Sequence, residues 1–156
     1  MTLKHFACNN QEDNRHASDS LVNERALREI YLRAFEICVR EADPKAMMTS
    51  YNLINGTYAP DRRDLCTDVL RNEWGFHGVV MTDWDSTMKG WGTNAEAIEA
   101  GNDMMMPGGP YFIKDLKDAL KSGKLSKEAL LRAARNLIRN TVHSQVAEKI
   151  RPEELL

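Results

Sequence analysis

The chain has 156 residues, 42% of them apolar and 28% charged, with a net charge of -2. That balance suits a globular domain with its own core and excludes a disordered segment, a nucleic-acid surface or an anionic-membrane surface, which need low hydrophobicity or a concentrated basic patch. Three scattered cysteines, Cys8, Cys38 and Cys66, make neither a disulfide framework nor a zinc-ligand spacing, so no metal and no cofactor is expected. No apolar run approaches the ~20 residues of a membrane helix. Residues 1–6 do not follow a signal-peptide pattern, which leaves the compartment open with the cytoplasm favoured.

Residues 2–6 read as the end of a strand. Leu27, Ile30, Tyr31, Ala34, Ile37 and Cys38 then recur at three- and four-residue steps, the period of a helix. Asp43-Pro44 closes it, because a residue before proline avoids the helical region. Residues 46–51 form a second strand, with a turn at Asn55-Gly56 just beyond it. A helix over 62–74 follows and stops at Gly75, a residue suited to a left-handed helix end. Residues 78–82 are continuously apolar up to Thr82, as expected of a parallel strand buried on both faces. A short helix over 94–100 leads to a fourth strand, Asp103-Met104-Met105-Met106, closed by Pro107-Gly108-Gly109. Two helices finish the pattern. One covers 112–121 and stops at Gly123; the other is capped by Ser126 and carries Leu130, Ala134, Leu137, Ile138 and Val142 on one face. Met47, Met48 and Met104, Met105 and Met106 read as core filling.

The order β-α-β-α-β-α-β-α-α implies right-handed βαβ units and a parallel α/β sheet. A complete (β/α)8 barrel takes roughly 250 residues, so four such units amount to about half of a TIM-like barrel. The expected organisation is a partial barrel domain over 1–143 and a charged tail over 144–156.

In such folds ligands bind beyond the carboxyl ends of the strands. Lys4, His5, Asn9, Asn10, Gln11, Glu12 and Arg15 gather there after the first strand, Tyr51 and Asn52 after the second, and Asp83, Trp84 and Asp85 after the third. An ionised Asp83 beside Lys4, His5 and Arg15 suits a hydroxyl-rich ligand, with Trp84 offering an apolar face to a sugar ring. Two strand steps of about 4.8 Å leave roughly 10 Å between the first and third strands, room for one pyranose. Taken singly, each residue also has a structural reading. Asp83 suits a helix cap, Trp84 packing, Lys4 a solvated surface, Arg15 a pair with Glu12 or Asp13, and His5 a hydrogen-bonded core. His16, His77 and His143 have no partner by sequence and read as structural.

At these residues the chain resembles the catalytic barrel domain of glycoside hydrolase family 3, β-glucosidase type. Lys4-His5-Phe6 with Asn9-Asn10-Gln11-Glu12 and Asn14-Arg15 resembles the family's KHF…NNQE…NR segment. The helix Glu24 to Leu32 is similar to SERxLREIYL, and Ser50-Tyr51-Asn52 with Asn55-Gly56 to SYNxxNG. Leu70 to Gly78 followed by Thr82-Asp83-Trp84 resembles LRxEWGFxGxVxSDW, and Ala100 to Gly108 resembles AGxDxxMPG. The likeness is collinear over residues 2–140 and implies the C-terminal half of the barrel.

The resemblance implies a retaining β-glycosidase in which Asp83 attacks the anomeric carbon. It also implies that Lys4, His5, Arg15 and Tyr51 hold sugar hydroxyls, that Tyr51 orients Asp83, and that Trp84 lines the same subsite. Asp85 departs from the glycine or aromatic expected after the signature. A retaining enzyme needs a second carboxyl roughly 5 to 5.5 Å from the first, and Glu12, Asp13, Asp85 and Asp103 all fit that role poorly. In the glucosidase type the acid/base is a glutamate on a separate domain. In the N-acetylglucosaminidase type it is a histidine in a PGHGD-like stretch, where this chain reads Ala7-Cys8-Asn9-Asn10-Gln11. The expected partners are therefore a β-glycoside substrate, the missing barrel half and acid/base domain of a parent protein and, for the chain alone, a second copy in a homodimer. The alternative to an enzyme fragment is a non-catalytic, self-associating half-barrel.

Overall fold

The computed structural model describes residues 1–88 and 90–144, so the expected tail lies outside the described residues beyond Ser144. β1 (Thr2–Phe6), β3 (Ala46–Thr49) and β6 (Val79–Met81) form a parallel sheet in the order β1-β3-β6. Leu3 pairs with Met47 and Met47 with Val80, so the middle of the sheet is apolar from strand to strand. These parallel βα units make up about half of a TIM-like barrel.

The fourth strand expected at Asp103 to Met106 shortens to a single parallel bridge between Met81 and Met104. Its backbone is still zipped to the β6 end: the amides of Asp103 and Thr82 donate to the carbonyls of Val80 and Met104 at 2.7 and 3.0 Å. One ladder bond then goes to a side chain instead, from the Met106 amide to Thr82 Oγ1 at 2.9 Å, which ends regular pairing. The methionines divide accordingly. Met47 and Met105 are core, whereas Met48, Met81 and Met104 are partly exposed. Those three pair in register across the sheet and so share one face. That face is incompletely covered in half a barrel.

The helices follow the expected positions. α1 (Glu24–Ala26) is capped by Asn23, whose Oδ1 accepts the Ala26 amide at 2.9 Å, and runs through a π-helical turn, Leu27–Tyr31, into α2 (Arg33–Ala42). Asp43, at φ 41°, turns the chain out of the helix before Pro44. The helix expected over 62–74 is π-helical at Asp64–Glu73, its end marked by a five-residue bond from the Trp74 amide to the Val69 carbonyl at 3.0 Å. Leu65, Cys66, Val69, Leu70 and Trp74 are all buried, and their spacing satisfies a wide turn as well as an α-turn. α3 (Asn94–Ala100), α4 (Pro110–Ser122) and α5 (Lys127–Val142) close the chain, and Ser126 caps α5 through its Oγ.

A second sheet escaped the sequence. β2 (Asp19–Ser20) pairs parallel to β4 (Leu53–Ile54), which turns through Asn55-Gly56 into antiparallel β5 (Thr57–Tyr58). Asn55 and Gly56 both have positive φ, the geometry of a tight hairpin turn. Two-residue strands carry no period to read, so only the turn was visible.

The core has two parts. Phe6, Leu27, Leu32, Met47, Leu65, Leu70, Trp74 and Val80 pack between sheet and helices. Ile98, Met105, Phe112, Leu125 and Ala129 pack among α3, α4 and α5. Asp103 joins the layers beneath the strands. Its Oδ2 accepts from Arg71 at 2.6 Å and from the Val80 amide at 2.9 Å, and its Oδ1 accepts from Asn136 at 2.9 Å. Both partners of the ion pair are largely out of water. Arg71→Leu strands this carboxylate, and we expect a loss of about 3 to 5 kcal/mol in urea unfolding.

Asp61, in the 3-10 turn Ala59–Asp61, lies against Gly92, where an added Cβ would sit 2.5 Å from its Oδ2. Burial, with the nearby charge of Glu96, pushes its carboxyl up to about 7. The folded chain therefore holds this proton to about pH 7, while the unfolded chain releases it near 4. Stability should fall as pH rises between those values, by at most about 4 kcal/mol, and stay level above them. Asp61→Asn should flatten that slope in thermal melts between pH 4 and 8.

Candidate active site

Because β1, β3 and β6 run parallel, their carboxyl ends share one rim, and the residues just beyond them meet there. Asp83 follows β6 by two residues and is 8% exposed. Its Oδ1 accepts the Trp84 amide at 2.7 Å and the Tyr51 phenol at 3.1 Å, while His5 Nε2 lies 3.3 Å from its Oδ2. Tyr51 has one proton and two acceptors, Asp83 Oδ1 and the Trp84 carbonyl at 2.7 Å, so it holds the carboxylate and the following turn together. Burial first, and then the charge of Asp83, push the Tyr51 phenol up to about 12, so it remains a donor at neutral pH.

The loop after β1 is fastened to the end of β3. Ser50 Oγ donates to the Ala7 carbonyl at 2.8 Å, and the Ser50 amide donates to the Phe6 carbonyl at 2.9 Å. Arg15 comes from this loop. Its guanidinium carbon sits 3.9 Å from the centre of the Tyr51 ring, and its Nη1 donates to Glu12 Oε2 at 2.7 Å. That bond raises Arg15 further and holds Glu12 below the usual carboxylate range, with Asn9 donating to the other oxygen at 2.7 Å.

The structure thus brings His5, Arg15, Tyr51 and Asp83 together. Trp84 joins through its backbone, and its ring is 56% exposed, which is not a packed position. Lys4 is exposed, and its side chain makes no hydrogen bond or ion pair among the described residues. Arg15 takes Glu12 rather than Asp13 as its partner. Asp83 does not cap a helix; it accepts its neighbour's amide within a turn, where the Ser86 amide also donates to the Asp83 carbonyl at 3.3 Å. The roughly 10 Å expected between the first and third strands is closed by side chains, since His5 reaches Asp83. Strand spacing sets backbone separation, and a sheet that curves into a barrel points its rim residues inward.

Of the other carboxylates, Asp103 is consumed by Arg71, Val80 and Asn136 beneath the sheet. Asp85 adopts φ 60°, a left-handed position that explains why glycine suits this site. Among the described residues no group of three His, Cys, Asp or Glu is placed to hold a metal.

His16 and Trp91 were not expected at the site. The His16 ring stacks on Trp91 at 3.9 Å and 17°, and stands edge-on to Tyr51 at 4.6 Å. The available signal for His16 was its place beside Arg15 on a rim loop; Trp91 lies in an irregular loop and had none. Burial, and then the charge of Arg15, hold the His16 imidazole below its ordinary range. In proton NMR, His16 should titrate below pH 6.5, with a higher midpoint in Arg15→Gln.

The family model described as glycosyl hydrolase family 3 N terminal domain matches residues 1–140. Beta-glucosidase B of Emericella nidulans is 44% identical over 139 residues, covering 88% of this chain and 16% of that protein. Beta-glucosidase A of Butyrivibrio fibrisolvens is 46% identical over 129 residues, covering 83% of this chain and 15% of that protein. The solved structure of beta-glucosidase 3B from Thermotoga neapolitana in complex with glycerol superposes with a TM-score of 0.87 at 44% identity, over 96% of this chain and 22% of that one. The GH3 beta-glucosidase of Bifidobacterium adolescentis gives 0.85 at 38% identity, over 97% and 22%. The chain therefore spans about a sixth to a fifth of these relatives.

Proposed function

The chain belongs to glycosyl hydrolase family 3, and from that premise we propose that it supplies the nucleophile side of a retaining β-glycosidase acting on terminal β-D-glucosides or related sugars. The observation that carries this reading is the Asp83 carboxylate, held at the strand rim by the Trp84 amide, the Tyr51 phenol and His5. Oδ1 is tied by two donors. Oδ2 is then the oxygen that attacks the anomeric carbon, forming a glycosyl ester as the bond to the leaving oxygen breaks. Lys4, His5, Arg15 and the Trp84 ring hold the sugar, with Tyr51 keeping the carboxylate in line. In this reading residues 1–143 are a partial barrel domain.

The leaving oxygen needs a proton, and Glu12, Asp85 and Asp103 are unsuited to give it. Glu12 is committed to Arg15 and Asn9, and Asp103 lies bound beneath the sheet. Asp85 shares the nucleophile's own turn. The acid/base carboxyl belongs to another part of the parent enzyme, as does the rest of the barrel.

One further observation favours a second reading for the isolated chain. β1 is an edge strand, paired on one side only among the described residues, and the Met48–Met81–Met104 face is partly exposed. Such an edge and face favour self-association into a non-catalytic dimer. Monodisperse monomer in light scattering would count strongly against that dimer.

Hydrolysis of p-nitrophenyl β-glucoside by the chain alone should be slight or nil. A 2,4-dinitrophenyl 2-fluoroglucoside has a leaving group that needs little acid help, and it should add one fluoroglycosyl group at Asp83. Peptide mapping that places the adduct elsewhere, or equal labelling of Asp83→Ala, would sink the nucleophile assignment. Clear turnover lost in Asp83→Ala would instead sink the non-catalytic reading.

A further inference from the structure

We propose that His16 is a positioning residue of the Asp83 site: flat on Trp91 and edge-on to Tyr51, it holds the Tyr51 phenol at the carboxylate and ties the loop after the nucleophile to the Arg15 segment. The proposal rests on Asp83 being the nucleophile.

Three observations support it. Tyr51 has two partners at its ring, the Arg15 guanidinium carbon at 3.9 Å from its ring centre and the His16 ring, whose centre lies 4.6 Å from its own with the planes at 75°. A shift of the Tyr51 ring therefore disturbs both contacts. Second, the ring contacts are what place His16. Its Nδ1 is buried without a hydrogen-bond partner among the described residues, so a polar tether there does not set the ring. Stacking on Trp91 at 17° does, and aromatic pairs in such contact have a defined geometry.

Third, the backbones of the two partners are stapled independently. The Tyr58 phenol lies 3.2 Å from the His16 carbonyl and 3.3 Å from the Gly90 carbonyl, next to Trp91, and donates to one at a time. Trp91 itself is 37% exposed, too open to be placed by burial alone. The line of contact runs Trp91, His16, Tyr51, Asp83, with the first and last residues at opposite ends of a single loop. That loop also carries Trp84, whose carbonyl is the second acceptor of Tyr51.

A residue that sets the angle of attack acts on the glycosylation step more than on sugar binding. The experiment is trapping of the purified chain by the 2,4-dinitrophenyl 2-fluoroglucoside, followed by intact mass to give a maximal rate and a half-saturating concentration. His16→Ala should lower the maximal rate about tenfold or more, with half-saturation within about twofold of the unsubstituted chain. His16→Phe keeps a ring on Trp91 and should recover most of the rate. Trp91→Ala should act as His16→Ala does, and the double variant should be no worse than either, since the two work as one unit. Unchanged trapping in a folded His16→Ala chain, a change confined to half-saturation, or no recovery in His16→Phe would overturn the proposal. Absence of Asp83 trapping in the unsubstituted chain is a separate outcome: it supports the non-catalytic reading of the isolated chain, and the positioning role in this chain falls with it.

Discussion

Parallel pairing of β1, β3 and β6 is the constraint on which the rest of this molecule depends. Parallel strands return through helices, so every strand's carboxyl end emerges on the same rim, and residues far apart in the chain become neighbours there. Asp83 is 32 residues from Tyr51, yet they share a hydrogen bond. The sheet direction is held by apolar register, Leu3 to Met47 to Val80, and by the helices that cover one face. The rim carries the polar side chains, several of them tying one segment to another.

Those side chains are ordered by a division of labour between the two ends of the sheet. Beneath it, Asp103 is satisfied at both oxygens by Arg71, Val80 and Asn136 and serves to lock layers. Above it, Asp83 accepts from two donors at one oxygen and meets His5 at the other. The same chemical group locks layers in one place and faces the rim in the other. What differs is access: the Asp103 side chain is fully out of water, whereas that of Asp83 keeps 12% of its surface at the rim.

The sheet is also open where a full barrel would close, at the edge of β1 and on the methionine face. Glu12 is bound to Arg15 and Asn9, and Asp103 to Arg71, Val80 and Asn136.

Much of this was legible in the sequence. Helix period, the stops at Asp43, Gly75 and Gly123, the cap at Ser126 and the turn at Asn55-Gly56 are local, because they depend on backbone preferences within a few residues. The rule that ligands gather at strand ends brought Asp83, Tyr51, His5 and Arg15 onto one list before any contact was known. The sequence could not tell that His5 reaches Asp83, that Arg15 covers Tyr51, or that His16 lies between Tyr51 and Trp91. It also missed the small sheet of β2, β4 and β5 and overestimated the fourth strand. These are relations between segments brought together by sheet curvature and loop packing. Local sequence determines which residues sit at the rim, and only the tertiary structure decides which of them touch, because contact across the rim depends on how strands separated in sequence are turned toward one another.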